Sequence, residues 1–195
     1  MPGYWRSPQQ TAEVFDDAGF YCSGDAIKLA DSANPQLGLM FDGRIAEDFK
    51  LSSGVFVSVG PLRNRAVLEG TPYVQDLVVT APDRPHLGAL VFPRLHDCRR
   101  LSGLAADASD AEVLASPPVR QWFADWLQRL NRDANGNASR VEWIALLDEP
   151  ASIDRGEITD KGSINQRAVL QWRAAKVEAL YRGEDPTVLR AGTTG

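Results

Sequence analysis

The sequence predicts an α+β fold: a small mixed β-sheet with flanking helices, preceded by a short β-strand segment. Three observations predict it. The runs Val74–Thr80 and 87–92 are apolar and rich in β-branched residues, and a turn holding Pro82 and Pro85 separates them, so they read as paired central strands. Residues 140–147 form a further apolar run of strand length. After Pro117-Pro118, the residues Val119, Trp122, Phe123, Trp126, Leu127 and Leu130 recur at the spacing of one helical stripe. The aromatic members of that stripe suggest core packing rather than a cofactor box, since burying such a side chain is worth ~1.5–3 kcal/mol.

At 195 residues the chain holds one medium domain, or a small one with an appendage. A net charge of -5 gives no electrostatic case for nucleic acid or an anionic membrane as partner. The cysteines, Cys22 and Cys98, are too few for a disulfide framework and read as free thiols. No Cys/His cluster has zinc spacing, so no metal site is expected. The opening residues MPGYWRSPQQ lack the basic and apolar regions of a signal peptide, and no apolar run approaches the ~20 residues of a bilayer span. The expected location is the cytoplasm.

In chain order, Ser7-Pro8 is a helix entry, and Thr11, Val14 and Phe15 give that helix an apolar side. Residues 20–23, 26–29 and 37–41 read as short strands that cannot close a core of their own. Asp42-Gly43-Arg44 marks a boundary. Residues 49–51 and 55–59 alternate around Ser52-Ser53-Gly54, which suggests a β-hairpin. A helix opens at Gly60-Pro61 with Leu62, Ala66 and Val67 inward. Short helices follow at Leu95–Ser102 and at 109–115, the latter capped by Ser109. Residues 140–147 are the last expected strand. Residues 165–181 read as one helix with Leu170, Ala174, Val177 and Tyr181 on a face, and the tail 184–195 reads as disordered.

The chemistry-bearing stretches are Tyr21-Cys22-Ser23-Gly24-Asp25, then GRIAEDFKLSSGVFVSVGPLR from Gly43, then GEITDKGSINQRAVL from Gly156. Together and in this order they resemble the C-terminal third of acyl-adenylate-forming (AMP-binding) acyl-CoA synthetases, and the wording is most similar to feruloyl-CoA synthases. The resemblance implies that residues 1–43 are the tail of an N-terminal adenylation domain and that 44–183 are a C-terminal lid. It implies ATP/AMP, Mg²⁺ and CoA as cofactors, an aromatic carboxylic acid as substrate, and the N-terminal adenylation domain as partner.

By the same resemblance, Asp25 accepts hydrogen bonds from the ribose hydroxyls of ATP, a charge-assisted arrangement, and Arg44 also contacts the ribose. On the residues alone, Asp25 reads as a turn residue after Gly24 and Arg44 as a surface ion-pair member. The hinge falls at Ala46, where the family has Asp or Lys. Lys50 matches a hairpin lysine. Ser52, Ser53 and Gly54 match the loop lining the CoA tunnel on the thioester-forming face, where small residues would let a pantetheine arm pass close to backbone. The family's catalytic lysine bridges the substrate carboxylate and the α-phosphate. Alignment puts Ser163 at its usual slot, and Lys161 is the nearby amine expected to act. Gly192-Thr193-Thr194-Gly195 echoes a phosphate loop without the strand and lysine that such a loop needs. His86 and His96 are not expected to be catalytic.

The implied activity is that of an ATP-dependent acid–CoA ligase of which this chain is the lid, inactive alone. The alternative is a stand-alone binding protein that dimerises through exposed strands.

Overall fold

Residues 2–184 and 186–192 are described by the computed structural model, and they fall into two units, Met1–Ala46 and Glu47–Gly195. The first begins with α1 (Pro8–Glu13), which opens on proline. The Ser7 side chain makes no cap bond; its carbonyl accepts instead from the Thr11 N–H and hydroxyl. Next come β1 (Asp25–Leu29) and β2 (Leu39–Arg44), an antiparallel ribbon.

Two expectations change in this unit. Residues 20–23 supply only a single bridge, Tyr21 to Phe15, because the Asp16 carboxylate takes the N–H groups of Ala18 and Phe20 and holds the run as a turn. The expected boundary at Gly43-Arg44 lies inside β2, since Asp25 pairs with Arg44 and Ala26 with Gly43. Only Gly43 is buried among the described residues here, while Trp5, Phe20, Ile27, Leu39 and Phe41 are exposed. A single ribbon has no second layer on which to bury them.

The second unit opens with a hairpin, β3 (Phe49–Lys50) and β4 (Phe56–Val57), and then α2 (Val59–Glu69). Ser58 stands at the N-cap of α2 without a side-chain bond, and the Asp48 carboxylate accepts the free Val59 N–H there at 2.9 Å. After β5 (Val74–Thr80) and β6 (Leu87–Pro93) come α3 (Leu95–Ser102), α4 (Asp110–Ala115) and α5 (Pro117–Asn131). Ser109 and Glu112 form a reciprocal capping box at the start of α4. The chain finishes with β7 (Val141–Leu146), α6 (Gln166–Trp172), α7 (Ala174–Arg182) and β8 (Val188–Arg190).

The main sheet has the order β5-β6-β7-β8, with only the β6–β7 pair parallel. A parallel neighbour needs a crossover, and α3, α4 and α5 supply it. Strand alternation sorts the core into two layers. Leu77, Val79, Ala89, Val91, Ile144 and Leu146 pack with Leu62, Ala66, Val119, Phe123, Trp126, Leu127 and Leu130 from α2 and α5. Val78, Leu90, Phe92, Ala145 and Leu147 pack with Ile164, Val169 and Leu180 on the other face. Helices on both faces explain why β6 is apolar and buried at every position. Trp126 is fully buried and donates its indole N–H to the Ala66 carbonyl at 3.2 Å.

The end of the chain departs most from expectation. Residues 165–181 are two helices broken at Arg173; of the expected face, Leu170, Val177 and Tyr181 pack against the core while Ala174 is exposed, and the buried positions are Gln166, Val169, Arg173 and Leu180. The tail is ordered at 188–190. Gly183 ends α7 in the left-handed region, and the returning strand pairs Val188 with Ala145, Leu189 with Ile144 and Arg190 with Trp143. Arg120 donates to the carbonyls of Pro186 and Val188, and the Arg190 guanidinium lies 4.5 Å from the Trp143 ring centroid. Without this strand β7 would present an open edge. Of the phosphate-loop echo at 192–195, only Gly192 lies within the described residues.

Candidate functional site

Three places hold the expected site residues. In the first unit, Asp25 starts β1 and Arg44 ends β2, directly opposite one another. Arg44 Nη1 lies 2.9 Å from Asp25 Oδ1, and the same nitrogen donates to the Ser23 carbonyl at 3.4 Å. The ribbon thus brings a carboxylate and a guanidinium together at one end. Ala46 is exposed, in the turn Ile45–Glu47 at the limit of this unit.

The second place is the β3–β4 hairpin. Its turn closes with Gly54 N–H to the Leu51 carbonyl at 2.8 Å and Leu51 N–H to the Val55 carbonyl at 2.9 Å. Gly54 has φ +82, a conformation that only glycine adopts without strain. Lys50, Ser52, Ser53 and Gly54 are all exposed. The backbone of this turn is strapped to the β5–β6 turn, with Asp83 N–H to the Lys50 carbonyl at 3.1 Å and Ser52 N–H to the Arg84 carbonyl at 2.9 Å. Arg84 in turn pairs with Glu178 and lies over the Tyr181 ring, 5.0 Å from its centroid. Helix α7 therefore braces the hairpin through the β5–β6 turn.

The third place is the loop carrying Lys161. It is a closed miniature hairpin. Ile158 and Ile164 form a bridge, Thr159 N–H bonds the Ser163 carbonyl at 2.8 Å, and Asn165 N–H bonds the Glu157 carbonyl at 2.8 Å. The Thr159 and Ser163 hydroxyls meet at 2.8 Å. Lys161 sits at the exposed tip. Ser163, at the slot where alignment expects the lysine, spends its hydroxyl inside the loop. No hydrogen bond or ion pair joins this loop to the Ser52 turn among the described residues.

The model for the AMP-binding enzyme C-terminal domain matches residues 51–185, a span that takes in both the Ser52 turn and the Lys161 loop. The chain belongs to this family. A carboxylic acid reductase of Segniliparus rugosus is 29% identical over 183 residues, covering 93% of this chain and 14% of its own length. The long-chain-fatty-acid–CoA ligase FadD15 of Mycobacterium tuberculosis is 24% identical over 185 residues, covering 93% of this chain and 30% of its own length. The solved A domain of the S. rugosus carboxylic acid reductase, in complex with AMP and a co-purified carboxylic acid, has a TM-score of 0.68 and 25% identity over 94% of this chain and 27% of that one. The chain thus spans less than a third of these relatives' length. Its mixed α+β architecture is that of the AMP-binding enzyme C-terminal domain.

Within this C-terminal domain, the lysine loop rests on an interaction that sequence reasoning missed. Glu157 is fully buried and Arg173 nearly so. Arg173 Nε donates to Glu157 Oε1 at 2.7 Å and Nη2 to Oε2 at 2.9 Å. Two further donors of the guanidinium go to the carbonyls of Glu149 at 3.2 Å and Pro150 at 2.8 Å, and Ser152 N–H donates to Glu157 Oε2 at 2.8 Å. The Arg173 hydrogen bonds hold the Glu157 carboxyl below its ordinary range against the opposing effect of burial. With a partner for each of its nitrogens and oxygens, the pair fixes both ends of the 149–157 segment and the base of the lysine loop. The signal in the sequence was an arginine in register with Val169 and Leu180 on an apolar helical stripe.

Proposed function

We propose that this chain is the lid, together with the last strands of the adenylation domain, of an ATP-dependent acid–thiol ligase of the feruloyl-CoA synthase type. The family match over residues 51–185 supports the lid reading, and the feruloyl type rests on the wording of the motifs from Gly43 and Gly156. In the whole enzyme the carboxylate of a hydroxycinnamic acid attacks the α-phosphorus of ATP, and pyrophosphate leaves. The thiol of CoA then attacks the acyl carbon of the adenylate, AMP leaves, and the thiol proton passes to solvent. An N-terminal adenylation domain is the partner that supplies the acid and adenine pockets, and the cytoplasm is the proposed location. Among the described residues no helix is long and apolar enough to cross a membrane.

Lys161 is the proposed catalytic residue of the first step. Two anions must meet, and a compact ammonium near both favours their approach and the charge of the transition state. An exposed lysine on a loop with a fixed base suits that task. Asp25 would take the ribose hydroxyls, with Arg44 alongside. Mg²⁺ would ride on the triphosphate; the described residues hold no cluster of three or more carboxylate, His or Cys ligands. For the second step the lid turns at Ala46 and presents Lys50 and the Ser52-Ser53-Gly54 turn to the pantetheine arm. Since catalysis needs both walls of the cleft, the chain alone is expected to be inactive.

The test is thioester formation by the purified chain with ATP, Mg²⁺, CoA and a panel of hydroxycinnamic and fatty acids, with and without an adenylation-domain polypeptide in trans. No turnover alone, and hydroxycinnamoyl-CoA with the added domain, is the expected result. Turnover by the chain alone would overturn the lid reading. Thioesters of fatty acids only would overturn the feruloyl assignment.

A further inference from the structure

We infer that Gln166 is a positioning residue that makes the segment starting at Glu47 and the Lys161 loop move as one body, so that a turn at Ala46 carries Lys161 with it. The inference rests on the reading of Ala46 as pivot and Lys161 as catalytic lysine.

Gln166 is a polar side chain only 4% exposed. Both ends of its amide are used. Oε1 accepts the Val79 N–H at 3.3 Å, and Nε2 donates to the Glu47 carbonyl at 3.4 Å. Strand β5 is an edge of the main sheet, so without Gln166 the Val79 N–H would be a buried donor with no ladder partner. The side chain therefore joins two segments far apart in sequence: the sheet, and the first residue beyond the proposed pivot.

Glu47 is held on one side by Gln166, and its neighbour Asp48 is held on the other by accepting the Val59 N–H at the start of α2 at 2.9 Å. Backbone freedom at the start of this unit therefore stops at Glu47. Ala46 lies just outside both anchors and is exposed, with a side chain too small to add a third. The usual Asp or Lys is absent from the pivot, and its boundary is set by its neighbours.

On its other side Gln166 adjoins the lysine loop. Asn165 caps α6 by accepting the Ala168 N–H at 3.3 Å, and its own N–H closes the loop on the Glu157 carbonyl at 2.8 Å. The path from pivot to catalytic lysine runs from the Glu47 carbonyl to Gln166, to Asn165, to the loop base. Every link is a backbone bond or a hydrogen bond within one unit. A buried apolar residue would fill the same space and join nothing.

The test is amide hydrogen exchange of the full chain, comparing wild type with Gln166→Met, which keeps the volume and removes both bonds. Exchange of the Val79 amide, which loses its acceptor, and of the amides at 47–51, whose segment loses its anchor at the Glu47 carbonyl, is expected to rise about tenfold, the loss of one ordinary hydrogen bond, while those of β6 and β7 stay unchanged. In wild type at low denaturant, the amides at 47–51 and 158–165 should open together; in Gln166→Met they should open separately. A rise of equal size across the whole sheet, or none at 47–51, would reduce Gln166 to a packing residue and overturn the inference. If Gln166→Met does not fold, separate opening of the two segments in wild type overturns it equally. Loss of the Lys161 assignment would show elsewhere, as unchanged adenylation in Lys161→Met, and would leave the exchange result standing.

Discussion

Arg173 grips Glu157 at two points inside the protein, Nε on Oε1 at 2.7 Å and Nη2 on Oε2 at 2.9 Å, and it does so from the one residue that separates α6 from α7. Removing one member strands the other in the interior, so Glu157→Gln and Arg173→Met should each cost about 3–5 kcal/mol at neutral pH.

The same pair sets an acid dependence. The folded-state pKa of Glu157 is lowered below its ordinary value of 4.5. Its contribution is therefore complete above the unfolded value and is lost as pH falls through the lower folded one. Thermal melts from neutral pH downwards should show a constant gap between wild type and Glu157→Gln that closes only below roughly pH 4. A gap that closes near neutrality would assign the effect to another group.

Lys161 is exposed at a loop tip, so Lys161→Met should leave stability within about 0.5 kcal/mol of wild type. In an enzyme that contains the adenylation domain, the same change should lower acid-dependent ATP–pyrophosphate exchange by roughly 10²–10³-fold. Thioester formation from added acyl-adenylate should be nearly unaffected. Equal loss in both steps would remove Lys161 from the first one specifically.

Gly54 tests the hairpin turn. Its φ is +82, and no atom lies within 4 Å of a Cβ built there, so an added side chain meets backbone strain and no clash. Gly54→Ala should cost about 1–2 kcal/mol, and Gly54→Asn less, because Asn tolerates the left-handed region better. Denaturant midpoints measure both. Equal losses from the two would point to lost close approach rather than conformation.

Cys22 is exposed, whereas Cys98 is fully buried and burial pushes its thiol pKa up to about 12. A thiol held protonated and out of reach does not react. Ellman's reagent at mildly alkaline pH should titrate Cys22 alone in the native chain and both thiols in denaturant.

The strands at Val74–Thr80 and 87–92, the capped helix after Ser109 and the aromatic stripe of α5 were legible because each rests on a local pattern: alternation, a cap or a helical period. The turn around Gly54 was legible for the same reason. Polar residues on the inner face of α6 and α7 were not. Gln166 and Arg173 look like surface positions when hydrophobicity alone defines the buried side, so the apolar face through Leu170, Val177 and Tyr181 was legible and its buried polar members were not.

By itself the sequence determined the α+β class, the order of the main strands and helices, and the family to which the motifs point, since short-range periodicity and contiguous motifs encode these. Tertiary structure alone decided where Glu157, Gln166 and Arg173 find their partners, that residues 188–190 return to close the edge of β7, and that Asp25 and Arg44 face one another across a ribbon. The partners of a buried polar group lie far off in the chain, and only folding brings together the donors and acceptors that make its burial tolerable.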